Sequence, residues 1–314
     1  MSKGKIVVVM GGPSSEAEVS RRTGAAILAA LREKEYDAEG MEFVPATFCE
    51  EIKKRNCGIV FNAMHGRYGE DGVLQGALDL LGIPYTGSGL LASALTMDKA
   101  AAKRLFVAEG ISTPRSVTYR RYEMERRNLV AEIRRDFSLP VVIKAATQGS
   151  SIGVVIVEAE SGLGDALKEA FRYSEEAVVE EFIRGKELTV AVFGGSGEAV
   201  AMPIIEITTL SGRYDYESKY TKGASSHIIP ARISAETAHR VKKLAEKTFN
   251  VCGCCGVARV DMMLSGSNIP YVIEVNSVPG MTETSLVPDA ARAMGMEFPE
   301  LCEKILRMAG YTKE

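Results

Sequence analysis

Residues 256–286 read GVARVDMMLSGSNIPYVIEVNSVPGMTETSL, and the fold turns on how this stretch pairs with itself. Two runs rich in Val, Ile, Met and Tyr flank Ser265-Gly266-Ser267-Asn268, the composition of a β-hairpin. A loop closing symmetrically about Gly266 and Ser267 sets Arg259 opposite Glu274 and Asp261 opposite Val272. Side chains alternate faces along a strand. Arg259, Asp261, Glu274 and Asn276 are therefore expected on one face, with Val260, Met262, Ile273 and Val275 on the other, in a core. Two carboxylates this close ionise together only with a cation between them, and hard oxygen ligands that leave coordination positions open suit Mg²⁺. A surface hairpin with a wet polar face carries the same alternation. Beyond the hairpin, Pro279-Gly280-Met281-Thr282 forms a tight loop and Ser285-Leu286 opens an apolar-periodic segment. Free backbone N–H groups there are expected to point back at the same face, an anion site beside a metal site.

Composition sets the outer bounds. With 314 residues, 46% hydrophobic and 25% charged, the chain can bury a large core and divides into two or three domains. A net charge of −3, without a basic stripe interleaved with aromatics, argues against nucleic acid as a partner. No apolar run spans a bilayer, and Met1-Ser2-Lys3-Gly4-Lys5 leads directly into a strand-length apolar run without a cleavage site, so a cytosolic location is expected. Cys252, Cys254 and Cys255 cluster with a C-x-x-C spacing, but no second pair accompanies them, and packed structural thiols are expected rather than zinc or redox chemistry.

Upstream, the strand at residues 6–10 ends in Gly11-Gly12-Pro13, and Ser15 with Glu18 reads as a capping box for a helix. G-x-G-x-x-G is absent, which argues against a nicotinamide dinucleotide. Glu16 stands instead where open α/β sheets place ligands, able to hold an ammonium or simply to complement the helix dipole. The strand at 58–62 leads to a glycine-rich loop holding His65, then to a helix from Asp71 and a short strand at 83–85. A helix from about Thr96 carries Lys99 in its first turn.

From Leu139 two apolar strands flank a Gly/Ser loop containing Ser150 and Ser151, with Lys144 at the exit of the first. Such a loop can close over phosphates, though it is not a Walker P-loop, and a polar surface hairpin is the plainer reading. The strand at 177–183 turns at Arg184-Gly185-Lys186 into another beginning at Glu187, and could offer its backbone to an adenine edge. A strand is expected at 199–207. Residues 208–230 lack periodicity yet hold Tyr214, Tyr216, Lys219 and Tyr220, which suits a lid better than disorder.

Taken in order, GGPSSEAEVS, HGRYGEDGVLQGALDLLGIPYTGSGLLASALTMDK, KAATQGSSIGV, EEFIRGKE, YDYESKY, RVDMM and EVNSVPGMTETSLVP resemble the D-alanine-D-alanine ligases of the ATP-grasp superfamily across nearly the whole chain. The resemblance implies an α/β fold, α+β in part. An N-terminal open α/β domain (1–98) would precede a central small α+β domain (99–187) and a C-terminal antiparallel-sheet domain (188–314) with its lid at 208–230. It implies ATP-dependent joining of two D-alanine molecules through an acylphosphate, for peptidoglycan precursor synthesis. By motif, Lys99, Lys144 and Ser151 would contact ATP phosphates, Lys219 would reach the terminal one, and Glu180, Phe182, Ile183 and Glu187 would hold adenine and ribose. Asp261, Glu274 and Asn276 would bind two Mg²⁺ ions, with room for Mn²⁺ instead and for a monovalent cation. Glu16, linked to Ser150 and Tyr220, would hold the first substrate's ammonium near His65. Arg259 and the Gly280 N–H would stabilise the oxyanion, while Ser285 and the Leu286 N–H would take the second carboxylate. A homodimer is also implied, and Tyr220 points to the dipeptide rather than the D-lactate ester. The rivals are a depsipeptide ligase of the same fold and, from another class, a nucleotide-binding regulatory protein without turnover.

Overall fold

The apolar run near the N-terminus becomes the centre of a parallel sheet. The computed structural model describes residues 4–149, 152–195, 198–209, 225–282 and 285–309. In it β1 (Lys5–Met10) lies between β2 (Ala38–Glu42) and β3 (Cys57–Asn62), both parallel to it. Crossovers run through α1 (Ala17–Glu33) and α2 (Phe48–Lys54), and α3 (Val73–Leu81) and α4 (Leu90–Met97) follow. The strand expected at 83–85 is reduced to one bridge, Val60 to Tyr85. The Ser15/Glu18 capping box does not form: Glu16 is the N-cap, without a side-chain cap, and its N–H donates to Ser14 Oγ at 3.2 Å.

The helix expected from about Thr96 begins three residues later, at Lys99, and α4 precedes it as a separate helix not expected from the sequence. Asp98 leaves helical geometry and its carboxylate accepts from Ala101 N at 3.0 Å, ending α4 and starting α5 (Lys99–Ala108). An antiparallel sheet of order β4-β7-β5-β6 comes next, from β4 (Ser116–Arg120), β5 (Val141–Ala145), β6 (Val154–Val157) and β7 (Glu176–Glu181). Helices α6 (Leu129–Asp136) and α7 (Leu163–Tyr173) cover it, and Leu129, Ile133, Leu163 and Leu167 meet Tyr119, Ile143 and Val179 in its own core.

The largest sheet has order β11-β10-β8-β12-β13. Its strands are β8 (Gly185–Gly194), β10 (Ile205–Thr209), β11 (Ser225–Ile228), β12 (Gly256–Ser265) and β13 (Pro270–Asn276), and β9 (Val200–Ala201) pairs with β8. The single strand expected at 199–207 is thus split into β9 and β10, with Pro203 in the break, where a ladder N–H is unavailable. Helix α8 (Ala235–Val251), capped by Ser234, covers one face. Helices α9 (Leu286–Arg292) and α10 (Phe298–Met308) lie on the other side. There Leu286, Val287, Leu301 and Ile305 share a core with Ile27 and Leu31 of α1, and Tyr36 Oη donates to Glu303 Oε1 at 2.7 Å.

The hairpin register departs from expectation in an informative way. Near the turn, Leu264 pairs with Pro270, Met263 with Tyr271 and Met262 with Val272. Continued, that register would set Asp261 against Ile273 and Glu274 against Val260, on the core side. A bulge intervenes, and Asp261 faces Glu274 while Arg259 faces Asn276. The cost falls on Ile273, expected in the core but left half-buried while Val272 and Val275 pack inside.

One buried carboxylate clamps the edge of this sheet. Glu206 of β10 accepts from Arg232 Nη2 at 2.7 Å, from Arg232 N at 2.9 Å and from Lys186 Nζ at 3.1 Å. The Arg232 hydrogen bonds, against the opposing effect of burial, hold its pKa at about 2. An unfolded Glu titrates near about 4.3. The folded pKa is the lower one, so this stabilisation is present above about 4.3 and is lost as pH falls towards about 2. Glu206→Gln is expected to lower the urea midpoint most near neutrality, and the gap from the native chain should close across that acid window.

Candidate active site

The polar face of the hairpin is held by its own charges. Arg259 donates from Nε and Nη2 to Asp261 Oδ1 and Oδ2, each at 2.8 Å. Asn276 Nδ2 donates to Asp261 Oδ2 at 2.9 Å, and Thr189 Oγ1, in register on β8, donates to Oδ1 at 2.5 Å. Glu274 lies 3.3 Å from Lys99 Nζ, which also donates to the Gln148 carbonyl at 2.6 Å. Two facing carboxylates are thus each offset by a cation. The donor set is Asp261, Glu274 and the Asn276 amide, all hard oxygens.

A second cluster sits on the small sheet. Glu180 is 1% exposed, with Lys144 Nζ at 2.9 Å from Oε2 and Lys103 Nζ at 3.3 Å from Oε1. Burial works against its charge, yet Lys144 and Lys103 hold the carboxyl below its ordinary range. Phe182 and Ile183 are half-buried where β7 turns into β8, and the Arg184 guanidinium lies 5.6 Å from the Phe182 ring centroid. Glu187 stands at the start of β8, opposite Met263 of β12.

Glu16 forms the third part. It is buried, and a Cβ added at Gly66 or Gly149 would come within 2.6 or 3.0 Å of its Oε2. Lys99 holds the Gln148 carbonyl, so the loop that meets Glu16 is also the one that meets Glu274's partner. His65 bonds Thr23 Oγ1 through Nε2 at 3.0 Å and Glu70 Oε1 through Nδ1 at 3.3 Å. Burial pushes the His65 pKa down, but Glu70, Glu16 and the Val278 backbone act together against it and the net shift is upward. Glu70 is itself raised, by burial and by the charge of Glu16. At the other side Ser285 Oγ accepts from Thr282 N at 3.0 Å, and a Cβ on Gly280 would lie 3.0 Å from that oxygen. Leu286 opens α9 with its side chain in the shared core.

The described residues thus bring together Arg259, Asp261 and Asn276, join Glu274 to Lys99, and place Lys144 on Glu180. Ser150, Ser151, Lys219 and Tyr220 lie outside the described residues. Three contributors were not read from the sequence. Thr189 follows Glu187 on the same face of β8, Glu70 shares the glycine-rich loop with His65, and Lys103 is one helical turn from Lys99. Spacing could have flagged Thr189 and Glu70, whereas the carboxylate that holds Lys103 inside lies far along the chain.

An open parallel sheet joined to two antiparallel sheets, with lysines and carboxylates facing one another across them, makes this an ATP-grasp fold. Residues 41–88 match the family described as D-ala D-ala ligase N-terminus, and residues 105–307 that described as D-ala D-ala ligase C-terminus. The chain belongs to the D-alanine–D-alanine ligase family. The D-alanine–D-alanine ligase of Pelotomaculum thermopropionicum is 49% identical, covering 97% of this chain and 96% of its own; that of Moorella thermoacetica is 46% identical, covering 97% and 99%. Among solved structures, the Bacillus anthracis enzyme complexed with ATP superposes with a TM-score of 0.83 at 34% identity, covering 98% of this chain and 97% of its own. The VanG D-Ala:D-Ser ligase of Enterococcus faecalis gives 0.84 at 31%, covering 98% and 100%.

Gly66 has φ +69, and its missing Cβ is what admits the Glu16 carboxylate. Gly66→Ala is expected to cost about 1–2 kcal/mol from the left-handed backbone alone, and more from displacing Glu16. Urea denaturation reads the first effect, and the apparent KM for the first substrate reads the second.

Proposed function

We propose that the three clusters act as one centre, in which two D-alanine molecules and ATP give D-alanyl-D-alanine, ADP and phosphate. The ligase activity follows from family membership; the roles of individual side chains are our assignment. The observation that carries it is the pairing of Asp261 with Glu274, next to a lysine that shares its loop with Glu16.

Glu16 takes the first D-alanine's ammonium, with His65 beside it and Ser150 and Tyr220 completing the link. Glu180, Phe182, Ile183 and Glu187 hold adenine and ribose. Lys99, Lys144, Ser151 and Lys219 offset the phosphate charge. The first carboxylate oxygen attacks the γ-phosphorus, the bond to the β,γ-bridging oxygen breaks, and ADP leaves behind an acylphosphate. The second D-alanine, its carboxylate on Ser285 and the Leu286 N–H, attacks the acyl carbon through its amine. The amine loses a proton and phosphate departs. Arg259 and the Gly280 N–H meet the oxyanion, and such donors contribute about 3 to 4 kcal/mol each.

Asp261, Glu274 and Asn276 fit Mg²⁺, being hard oxygen donors whose charges here are offset by Arg259 and Lys99. Two ions, with Mn²⁺ able to substitute, would be held there and would offset the repulsion between carboxylate and triphosphate. A monovalent cation is a further candidate component.

We also divide the chain at 1–98, 99–187 and 188–314, each carrying one of the sheets for most of its length. No helix of the described residues is long and apolar enough to cross a membrane, and we assign the cytosol as the location of the chain. A homodimer is supported by Leu80 and Leu91, 90% and 77% exposed on the neighbouring α3 and α4.

Phosphate release from ATP and Mg²⁺ should depend on D-alanine and not on L-alanine. D-serine or D-lactate as second substrate should give far less at neutral pH. Glu274→Gln should lower turnover at least ~100-fold, about 2.7 kcal/mol, with unchanged circular dichroism; unaltered turnover would remove the metal assignment. Light scattering of Leu80→Asp/Leu91→Asp should report a monomer where the native chain is a dimer.

A further inference from the structure

Lys103 takes no part in the mechanism above, yet it is 3% exposed and sits at a junction. Its Nζ donates to Thr113 Oγ1 at 2.8 Å and to the Pro114 carbonyl at 3.1 Å, and lies 3.3 Å from Glu180 Oε1. Thr113 Oγ1 donates on to the Val272 carbonyl of β13 at 2.8 Å, and Val272 N donates to the Ser112 carbonyl at 2.8 Å. One ammonium therefore joins α5, the segment leading to β4, and β7 of the small sheet, with the hairpin of the large sheet one bond further. Glu180 Oε1 is fully buried, and the Lys103 ammonium is the charge that faces it.

The charge count explains why two lysines serve one carboxylate. With Lys144 as sole partner, Glu180 would lose its counter-charge whenever Lys144 turned to a phosphate, leaving a carboxylate ionised and alone in the interior. Lys103 cannot leave, because its other donors are committed to Thr113 and Pro114. Burial pushes its pKa down, with Lys144 adding to the effect and Glu180 and Glu181 opposing it.

We propose that Lys103 is a positioning residue of the nucleotide site: it is the permanent counter-ion of Glu180, fixing that carboxylate for the base and freeing Lys144 for phosphate. The inference rests on the assignment of Glu180 and Lys144 to ATP. Lys103→Met, close in shape but uncharged, is expected to raise the KM for ATP about tenfold while both D-alanine constants stay within about twofold. Adding Glu180→Gln, which no longer needs a counter-charge, should bring the ATP constant back towards that of Glu180→Gln alone. A general loss of packing would raise all constants together and would not be reversed by the second change. An unchanged ATP constant in Lys103→Met, or no reversal in the double variant, overturns the proposal. Lys144→Met serves as the reference. If it leaves ATP binding intact, the nucleotide assignment falls and takes this inference with it; if it weakens ATP binding while Lys103→Met does not, only this inference falls. Should Lys103→Met fail to fold, the native enzyme with ¹³C-labelled glutamate gives an independent reading. The Glu180 carboxyl resonance should stay that of the ionised form on saturation with a non-hydrolysable ATP analogue, and its protonation on binding would overturn the role.

Discussion

Everything at this centre depends on two carboxylates standing face to face. Asp261 and Glu274 repel one another, and a folded chain tolerates that only where positive charge is supplied. Arg259 supplies it from the same strand and Lys99 from a helix of another part of the molecule. The second is the more consequential. Because Lys99 opens α5 and grips the Gln148 carbonyl, the need to neutralise Glu274 draws the Gly/Ser loop, the helix and the hairpin to one place. The electrostatic problem of the facing carboxylates thus doubles as the device that draws these elements together.

The bulge in β13 is what creates that problem on the correct face. Side-chain direction has a period of two, so one inserted residue decides whether Glu274 meets Asp261 or is driven into the apolar layer against Val260. The half-buried Ile273 is the local penalty, and it is small beside that of burying an unpaired carboxylate. At that position the register follows the pairing of charges rather than the packing of Ile273.

Much of this was legible beforehand, for identifiable reasons. Alternation in 256–264 and 271–276 revealed which side chains share a face, because burial on one side leaves a strong period-two signal. The pairing partners were wrong by two residues, one from the turn, where Leu264 meets Pro270, and one from the bulge, which nothing local at Ile273, neither Gly nor Pro, announces. Helices α1 and α3 were readable; β2, written AEGME, and the short α2 were not. Helix α4, LLASALTM, went unread because no side-chain cap marks its start at Gly89, and Asp98 alone separates it from α5. Lys103 went unread because a lysine on a helix ordinarily belongs to solvent, and the carboxylate that keeps it inside lies far along the chain. Long-range charge pairing leaves no periodic trace.

The core shared by α1, α9 and α10 links the beginning of the chain to its end. Ile27 and Leu31 find their cover in Leu301 and Ile305. On a ribosome emitting roughly 5–20 residues per second, the first helix would wait on the order of 15–60 s for that cover to emerge. Throughout synthesis the amino-terminal sheet would present an apolar flank, open to chaperones or to a neighbouring nascent chain, and the molecule would close only with the arrival of its last helix.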